Sequence, residues 1–499
     1  MKVVKKQLLM NAMMSILQVF VISITLFILY RFLLDTIGVR QLGVWSLVLA
    51  ATAVTQIANF GLSAGVVKFV AKYMALNNHS NVSEVIQTAA ISTGAAVGCV
   101  LIFAYPIAIW LLKLIVPYES IADALAVLPF AMFSFWLLVI VGVFQSGLDG
   151  CHRIDVRSML LMGSSISYLL FCFILAPRHG LMGVAYARVI QNASVCIISW
   201  LLLRKYLPTM PLFPCRWNKT LFKEMIGYGV NFQIISMTSM LGDPITKIFL
   251  TKFGGLAMVG YYEMASKMVN QLRALIVSAN QVVVPTVSSL QEIVPEKVKS
   301  LYLKSYQTIF CVSLTSYAAL MILIPLISKI WIGWYEPFFV FASVVLAAGT
   351  FLTTLAGPAY FTNLGSGDLK WNVIAHLLAV TSNVLMGLLL GVFIGGAGVV
   401  ISMGIALAIN SFIINTSYYM KHGIPLRELM AGKSLIISIT VALIVAIFIK
   451  SILWGEKDIA FIAVLSMACF FVIVCIPLWM HPGRKGLTVL FSENIFKKS

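Results

Sequence analysis

Hydrophobic runs long enough to cross a membrane recur along the whole chain, from Met10 to Met480. At a rise of 1.5 Å per residue, a helix of about 20 residues crosses a hydrocarbon core of roughly 30 Å. Hydrophobic residues make up 61% of the 499 and charged residues only 10%, which is too few to form a water-facing surface. The intervals between the runs are too short to bury a core of their own. The pattern therefore predicts an all-α integral membrane protein without an extramembrane domain.

The runs predict about fourteen transmembrane helices. Their approximate ranges are 8–34, 43–70, 85–115, 123–148, 158–176, 182–203, 224–251, 256–289, 304–328, 337–364, 371–394, 396–419, 433–453 and 459–480. The first run is too long for the apolar region of a signal peptide, and no small-residue cleavage site follows it. We therefore interpret it as the first span.

The distribution of positive charge predicts the orientation. The formal net charge is +18, and the 35 Lys and Arg residues fall mostly in alternate loops, including both termini. Cytoplasmic loops of membrane proteins carry such an excess. Both termini are therefore expected in the cytoplasm, the number of spans is expected to be even, and the charge needs no nucleic acid to explain it.

Glycines at matching positions indicate that the chain contains a repeat. Three pairs, each at the start or end of a predicted span, share a nearly constant separation of roughly 217 residues, which fits duplication of a six-span unit. The pairs are Gly43 and Gly260, Gly147 and Gly365, and Gly183 and Gly398. The predicted organisation is an N-terminal lobe over 1–215, a C-terminal lobe over 216–432, and two further spans with a cytoplasmic tail over 433–499. Chance recurrence of glycine at span ends is the alternative.

Six charged residues fall inside the predicted spans, where a central charge costs about 3 kcal/mol on insertion scales. They are Arg188 in span six, Asp243 and Lys247 in span seven, and Glu263, Lys267 and Arg273 in span eight. Each acid precedes a lysine by four residues, a spacing that places opposite charges on one helical face. These pairs either hold helices together or serve transport. The two arginines leave a positive balance, which predicts an anionic ligand.

Three prolines interrupt the predicted spans seven, eight and ten. They are Pro244, Pro285 and Pro358. A proline removes a backbone donor and kinks a helix, so these positions are hinge candidates, with kinks that serve packing as the alternative.

The energy source is narrowed by the motifs that the sequence lacks. The fragment Ala431 to Ser434 has Arg427 where the first glycine of a phosphate-binding loop belongs, so no nucleotide site is predicted. The eight cysteines and six histidines show no metal-ligand spacing, and no metal, cofactor or catalytic site is predicted. Transport would be driven by a proton or sodium gradient or by the substrate gradient. Asp243 and Glu263 are the candidate ion-coupling residues.

Several segments together resemble a known family. They are GVWSLV with QIANFGLSAGVVKFVAKY in span two, VGYYEMASKMVNQL with VVVPTVSSL in span eight, and the GxxGV starts of spans six and twelve. The chain resembles the Wzx-type polysaccharide flippases, which carry O-antigen and capsule repeat units and belong to the multidrug/oligosaccharidyl-lipid/polysaccharide (MOP) exporter superfamily. The resemblance implies a MATE-like fold in which two six-helix lobes surround a central cavity, with two additional C-terminal helices.

The resemblance also implies a substrate and a place of action. An undecaprenyl-diphosphate-linked oligosaccharide would cross the bacterial cytoplasmic membrane by alternating access, and membrane lipid, a glycan polymerase and chain-length proteins would be partners. Basic residues that face the cavity would meet the diphosphate. The candidates are Arg188, Lys247, Lys267 and Arg273.

Three other functions are compatible with parts of the sequence. A MATE-type cation-coupled multidrug exporter would favour an acidic, aromatic cavity. A membrane glycan polymerase or glycosyltransferase would need a catalytic cluster on a large external loop, whereas the external loops predicted here are short. A purely scaffolding protein would leave six intramembrane charges as an unexplained cost.

Overall fold

The computed structural model describes residues 2–53, 62–227, 241–280, 296–425 and 428, and within these residues it is helical without strands. The all-α prediction is confirmed. In the first part of the chain the helices are α1 (Lys2–Ala53), α2 (Leu62–Ala75), α3 (His79–Ile115), α4 (Tyr118–Gly150) and α5 (Ile154–Tyr206). The later helices are α6 (Gly242–Phe253), α7 (Leu256–Asn280), α8 (Glu296–Trp331), α9 (Pro337–Leu355), α10 (Gly357–Ser366), α11 (Lys370–Ile394) and α12 (Gly396–His422).

Eight helices in the described part of the chain are long and apolar enough to cross a membrane. One of them, α5, contains predicted spans five and six, and α1 contains span one and the beginning of span two. The 53 residues of α5 would reach about 80 Å as a single straight helix, far more than one bilayer crossing. Gly180 interrupts α5 with a positive φ of 55°, and Gly38 interrupts α1 with a φ of 79°. The count of fourteen remains a prediction, and spans thirteen and fourteen lie outside the described residues.

The structure locates two of the three hinge candidates. Predicted span ten is divided into α9 and α10, and Pro358 lies in the first turn of α10, where a missing backbone donor is tolerated. Pro244 lies in the first turn of α6, where its missing backbone donor is tolerated in the same way. Pro285 lies outside the described residues. A hinge function at these prolines remains a prediction.

The described residues form two compact units. Unit 1 comprises the described parts of Met1–Met264 and Asn383–Val399, and unit 2 those of Ala265–Ser382 and Val400–Ser499. The core of unit 1 contains buried aliphatic and aromatic side chains from α2 to α5, such as Val66, Ile86, Phe144 and Leu203. The lobe boundaries at 215 and 432 remain a prediction.

Backbone conformation recurs at the predicted repeat spacing. Gly38 and Gly255 are equivalent in the repeat and have φ angles of 79° and 82°. Gly180 and Gly395 form a second equivalent pair and have φ angles of 55° and 69°. At Gly38 and Gly180 the positive φ is combined with ψ values of 162° and −133°, a backbone conformation that only glycine adopts without strain. This agreement supports duplication over chance recurrence.

The turn after α4 lies later in the chain than the predicted position at Gly147. Gly147 is helical, and α4 continues to Gly150 before the chain turns at His152, whose φ is 58°. The matching turn after α10 has Gly367 with a φ of 77°. These two turn residues again stand at the repeat spacing. The sequence signal failed because a histidine, and not a glycine, occupies the left-handed position in the first half.

The segment between the two halves is fixed against α3. The side-chain oxygen of Gln87 accepts hydrogen bonds of 3.1 Å from the backbone N–H groups of Cys215 and Arg216. The hydroxyl of Thr88 accepts a third, from the N–H of Asn218. Both acceptors are fully buried, so the segment satisfies polar groups that would otherwise be unpaired.

Candidate functional site

Two helices of unit 1 cross in backbone contact near their equivalent glycines. A Cβ atom on Gly43 in α1 would collide with the carbonyl oxygen of Leu256, and one on Gly260 in α7 would collide with the carbonyl oxygen of Val39. Val39 and Leu256 are themselves an equivalent pair in the repeat. Each half therefore contributes the same two positions to the crossing, and the absent side chains allow the helices to approach closely.

A buried carboxylate lies beside this crossing. Glu263 of α7 accepts hydrogen bonds from the Tyr30 hydroxyl at 3.0 Å and from the Ser46 hydroxyl at 2.8 Å. The ammonium of Lys247 lies 2.7 Å from the same carboxylate. The Glu263 side chain is only 4% exposed. Three donors on α1 and α6 therefore compensate a charge that burial alone would make very costly.

Lys247 joins two carboxylates. Its ammonium also lies 2.6 Å from Asp243, so the structure contains the pair expected from the four-residue spacing in α6. Lys247 is 7% exposed, whereas Asp243 is 41% exposed. Asp243, Lys247 and Glu263 together carry one net negative charge. Lys247 is thus held by acids, which makes it a weaker anion ligand than the sequence suggested.

The cluster is asymmetric in chemistry although its positions are symmetric. Ser46 precedes Glu263 by 217 residues, and Tyr30 precedes Lys247 by the same interval. The first half contributes two neutral hydroxyls, and the second half contributes an ion pair at the equivalent positions. Sequence reasoning overlooked both hydroxyls, because neither is unusual in an apolar helix. Aligning the two halves would have identified them.

A buried amide fixes the start of α6. The Asn383 side chain on α11 donates to the carbonyl oxygen of Gly242 at 3.2 Å and to the hydroxyl of Thr246 at 3.0 Å. Asn383 is 1% exposed. The first turn of α6, which carries Asp243, is therefore anchored by a second helix of unit 1.

Arg188 borders the same cluster. Its guanidinium donates to the side-chain oxygen of Gln191 at 2.8 Å and lies 5.1 Å from the centre of the Tyr168 ring. It also acts electrostatically on Tyr30, which reaches Glu263. In the described part of the chain Arg188 contacts an amide and an aromatic ring, and it forms no ion pair with a carboxylate. Unit 1 therefore brings together Arg188, Asp243, Lys247 and Glu263.

Unit 2 contains the other two candidates. Lys267 and Arg273 are both exposed on α7. Arg273 lies within electrostatic range of Tyr317 of α8, Tyr360 of α10 and His376 of α11, which are polar groups on three helices. Among the described residues no carboxylate forms an ion pair with Arg273.

The aromatic residues near Arg273 were not predicted. His376 lies 3.0 Å from the side-chain nitrogen of Asn410, and its ring packs edge-on against Tyr360 at 6.1 Å between centroids. Residues of this kind have no motif, and only the packing of the helices brings them together. The described residues contain no group of three or more His, Cys, Asp or Glu that could hold a metal ion.

Comparisons with solved structures establish the fold. The chain is similar to an inward-facing MATE family multidrug-resistance transporter of the MOP superfamily, with a TM-score of 0.67 and 15% identity over 83% of this chain and 98% of that one. It is also similar to the lipid II flippase MurJ in an inward closed conformation, with a TM-score of 0.64 and 14% identity over 90% of this chain and 98% of that one.

A third similar structure is a MOP superfamily transporter from Pyrococcus furiosus, with a TM-score of 0.64 and 14% identity over 86% of this chain and 97% of that one. The MATE-like MOP fold that the resemblance implied is thus confirmed. Sequence comparison with curated proteins finds no match. A family model described as polysaccharide biosynthesis protein matches residues 4–291, which is more than half of the chain. This multi-pass membrane protein therefore belongs to the polysaccharide biosynthesis protein family.

Proposed function

We propose that this protein is a secondary transporter, and not an enzyme, that flips lipid-linked oligosaccharides. It moves undecaprenyl-diphosphate-linked glycan repeat units from the cytoplasmic to the outer leaflet of the bacterial cytoplasmic membrane by alternating access. Both termini lie in the cytoplasm. A glycan polymerase and chain-length proteins would receive the product in the outer leaflet.

One observation supports an anionic substrate most directly. Arg273 is an exposed guanidinium on α7, within the predicted span eight, and it has no carboxylate in an ion pair among the described residues. A charge of this kind is too costly to face lipid, so it must face a polar chamber or a ligand. Guanidinium groups bind phosphate oxygens in pairs, which suits a diphosphate. Arg188 and Lys267 are further candidates for the same ligand.

Within this fold, the charge of the binding pocket helps to distinguish a transporter of anionic substrates from an exporter of organic cations. The Pyrococcus furiosus transporter is described as having a binding pocket of reverse polarity, which suggests a different function for that protein. A multidrug exporter for organic cations would need accessible acids. Here Glu263 is buried and Asp243 is half-exposed but paired with Lys247, so the cluster offers an organic cation at most one accessible carboxylate, which disfavours that alternative.

The ion-coupling role fits Asp243 better than Glu263. Asp243 is 41% exposed and shares Lys247 with Glu263, so a proton or sodium ion can reach it without dismantling the buried cluster. Glu263 is 4% exposed and bound by three donors, so its release would expose a buried lysine charge. We assign coupling to Asp243 and a structural role to Glu263 and Lys247.

The proposal is tested with purified protein in proteoliposomes that contain a fluorescent undecaprenyl-diphosphate oligosaccharide. Transfer between leaflets is measured by the access of an added glycosidase to the sugar. The wild type should increase transfer, and Arg273→Gln should reduce it at least tenfold, since one charge-assisted contact is worth about 1.5 kcal/mol or more.

Arg178→Gln is the matched control. Arg178 is exposed on α5 beside Gly180 and should tolerate the change. Asp243→Asn should abolish any dependence of transfer on a proton or sodium gradient. Wild-type vesicles that export cationic dyes but transfer no glycan would show a multidrug exporter instead.

A further inference from the structure

We infer that His376 is a second diphosphate ligand beside Arg273, with Asn410 as its positioning residue. This inference rests on the proposed function, because it concerns the recognition of the same substrate. It assigns the diphosphate of the lipid carrier, and not the sugar, to this part of unit 2.

The polar groups around His376 come from three helices. Arg273 acts on it from α7, Tyr360 packs against its ring from α10, and Asn410 contacts it from α12. No carboxylate in the described part of the chain forms an ion pair or hydrogen bond with His376. The nearest acid along the chain, Asp368, is bound to Lys421. The site therefore offers hydrogen-bond donors and positive charge without a competing anion.

The contact with Asn410 determines which ring nitrogen carries hydrogen. The amide nitrogen of Asn410 lies 3.0 Å from Nδ1 of His376 and donates to it. A neutral imidazole that accepts at Nδ1 carries its hydrogen on Nε2. Nε2 makes no hydrogen bond within the described residues, so it can donate to a ligand. Asn410 thus fixes Nε2 as the nitrogen through which the imidazole donates a hydrogen bond.

The depth of the two residues suits a substrate that arrives from the cytoplasmic leaflet. His376 lies about 9 Å along α11 from its first residue, Lys370, at 1.5 Å per residue. Arg273 lies about 26 Å along α7 from Leu256 by the same measure. With both termini in the cytoplasm, α11 starts and α7 ends on the cytoplasmic side. Both residues then lie at the level where a diphosphate would leave the inner leaflet.

The test measures binding of undecaprenyl diphosphate to the full-length protein in nanodiscs by native mass spectrometry. Undecaprenol, which has the same tail without phosphate, is the reference ligand. His376→Asn places its amide short of the Nε2 position and should weaken diphosphate binding about tenfold, whereas His376→Gln reaches that position and should stay within about threefold of the wild type. Neither variant should alter undecaprenol binding.

Two further variants make the result specific. Asn410→Leu leaves the imidazole in place but frees its tautomer, and it should also weaken diphosphate binding. His179→Asn, at an exposed position on α5, should have no effect. If His376→Asn binds undecaprenyl diphosphate as tightly as the wild type, the inference is wrong. If the wild type itself binds undecaprenyl diphosphate no better than undecaprenol, the proposed function fails.

Discussion

The Ser46 hydroxyl donates a 2.8 Å hydrogen bond to Glu263, and these two residues occupy the same position in the two halves of the chain, 217 residues apart. The backbone contact of Gly43 and Gly260, three residues earlier in each half, has the same property. Both contacts lie at the crossing of α1 and α7, beside the ion pair of Lys247 and Glu263.

The hydrogen bond between Ser46 and Glu263 should be measurable as an energetic coupling. Ser46→Ala and Glu263→Gln should each lower stability by about 1–3 kcal/mol, because each leaves a partner of a buried charge unsatisfied. The double variant should lose less than the sum of the two. Thermal unfolding in detergent measures the stability of the wild type, the two single variants and the double variant. Ser194→Ala is the matched control, since the Ser194 hydroxyl donates to the carbonyl of Ile190 within its own helix; strict additivity would contradict the coupling.

Removing Lys247 should be more damaging than removing it together with Glu263. Lys247→Met leaves Glu263 buried without a counter-charge, which should cost about 3–5 kcal/mol. Lys247→Met with Glu263→Gln removes both buried charges and leaves only the half-exposed Asp243. The double variant should therefore recover expression and thermal stability relative to the single one. Equal losses would show that packing of the lysine stem, and not charge, is what matters.

The glycine crossing should not tolerate a methyl group. Gly43→Ala and Gly260→Ala each place a Cβ against a backbone carbonyl that cannot move alone, so each should lower stability by about 1–3 kcal/mol. Gly142→Ala is the control in α4, where the added Cβ meets open space. Because alanine is the better helix former, this control should be neutral or stabilising by up to about 1 kcal/mol. Thermal unfolding followed by size-exclusion chromatography compares the three variants.

Cysteine labelling tests the proposed orientation. Cys215 is exposed in the segment between the two halves, for which the excess of positive charge predicts a cytoplasmic location. A membrane-impermeant maleimide should label it in inside-out vesicles and not in intact spheroplasts. The Cys215→Ser variant identifies the label on Cys215. Labelling from the outer side alone would show that the orientation is opposite to the proposed one.

The thiol of Cys151, just after α4, gives a pH-dependent comparison on the same side. Burial raises its pKa to about 11, only partly offset by Arg153. The reactive thiolate is then about one part in ten thousand at pH 7 and increases about tenfold per pH unit up to the pKa. Labelling that depends on Cys151 should follow this increase between pH 7 and pH 10 and disappear in Cys151→Ser.

The fold was more predictable than the site, for physical reasons. Apolar runs and turn glycines are local signals, and the helices and the turn at Gly180, in the GxxGV start of span six, follow from them. The Asp243 and Lys247 pair is local as well, because four residues make one helical turn. The ion pair between Lys247 and Glu263 depends on how α6 and α7 pack against each other, and residue spacing within one helix does not predict this packing. The contacts of Tyr30 with Glu263 in unit 1 and of His376 with Asn410 in unit 2 depend on helix packing for that same reason.

The symmetric contact between Ser46 and Glu263 also constrains how this chain arose. A six-span ancestor that paired with a second copy of itself would have placed identical residues at both positions. Two facing serines can share a hydrogen bond, but two buried glutamates at that distance would repel unless one held a proton. A single carboxylate therefore requires two halves that differ in sequence at this position. A homodimer of either half, with the same residue at both positions, could not reproduce this single charge.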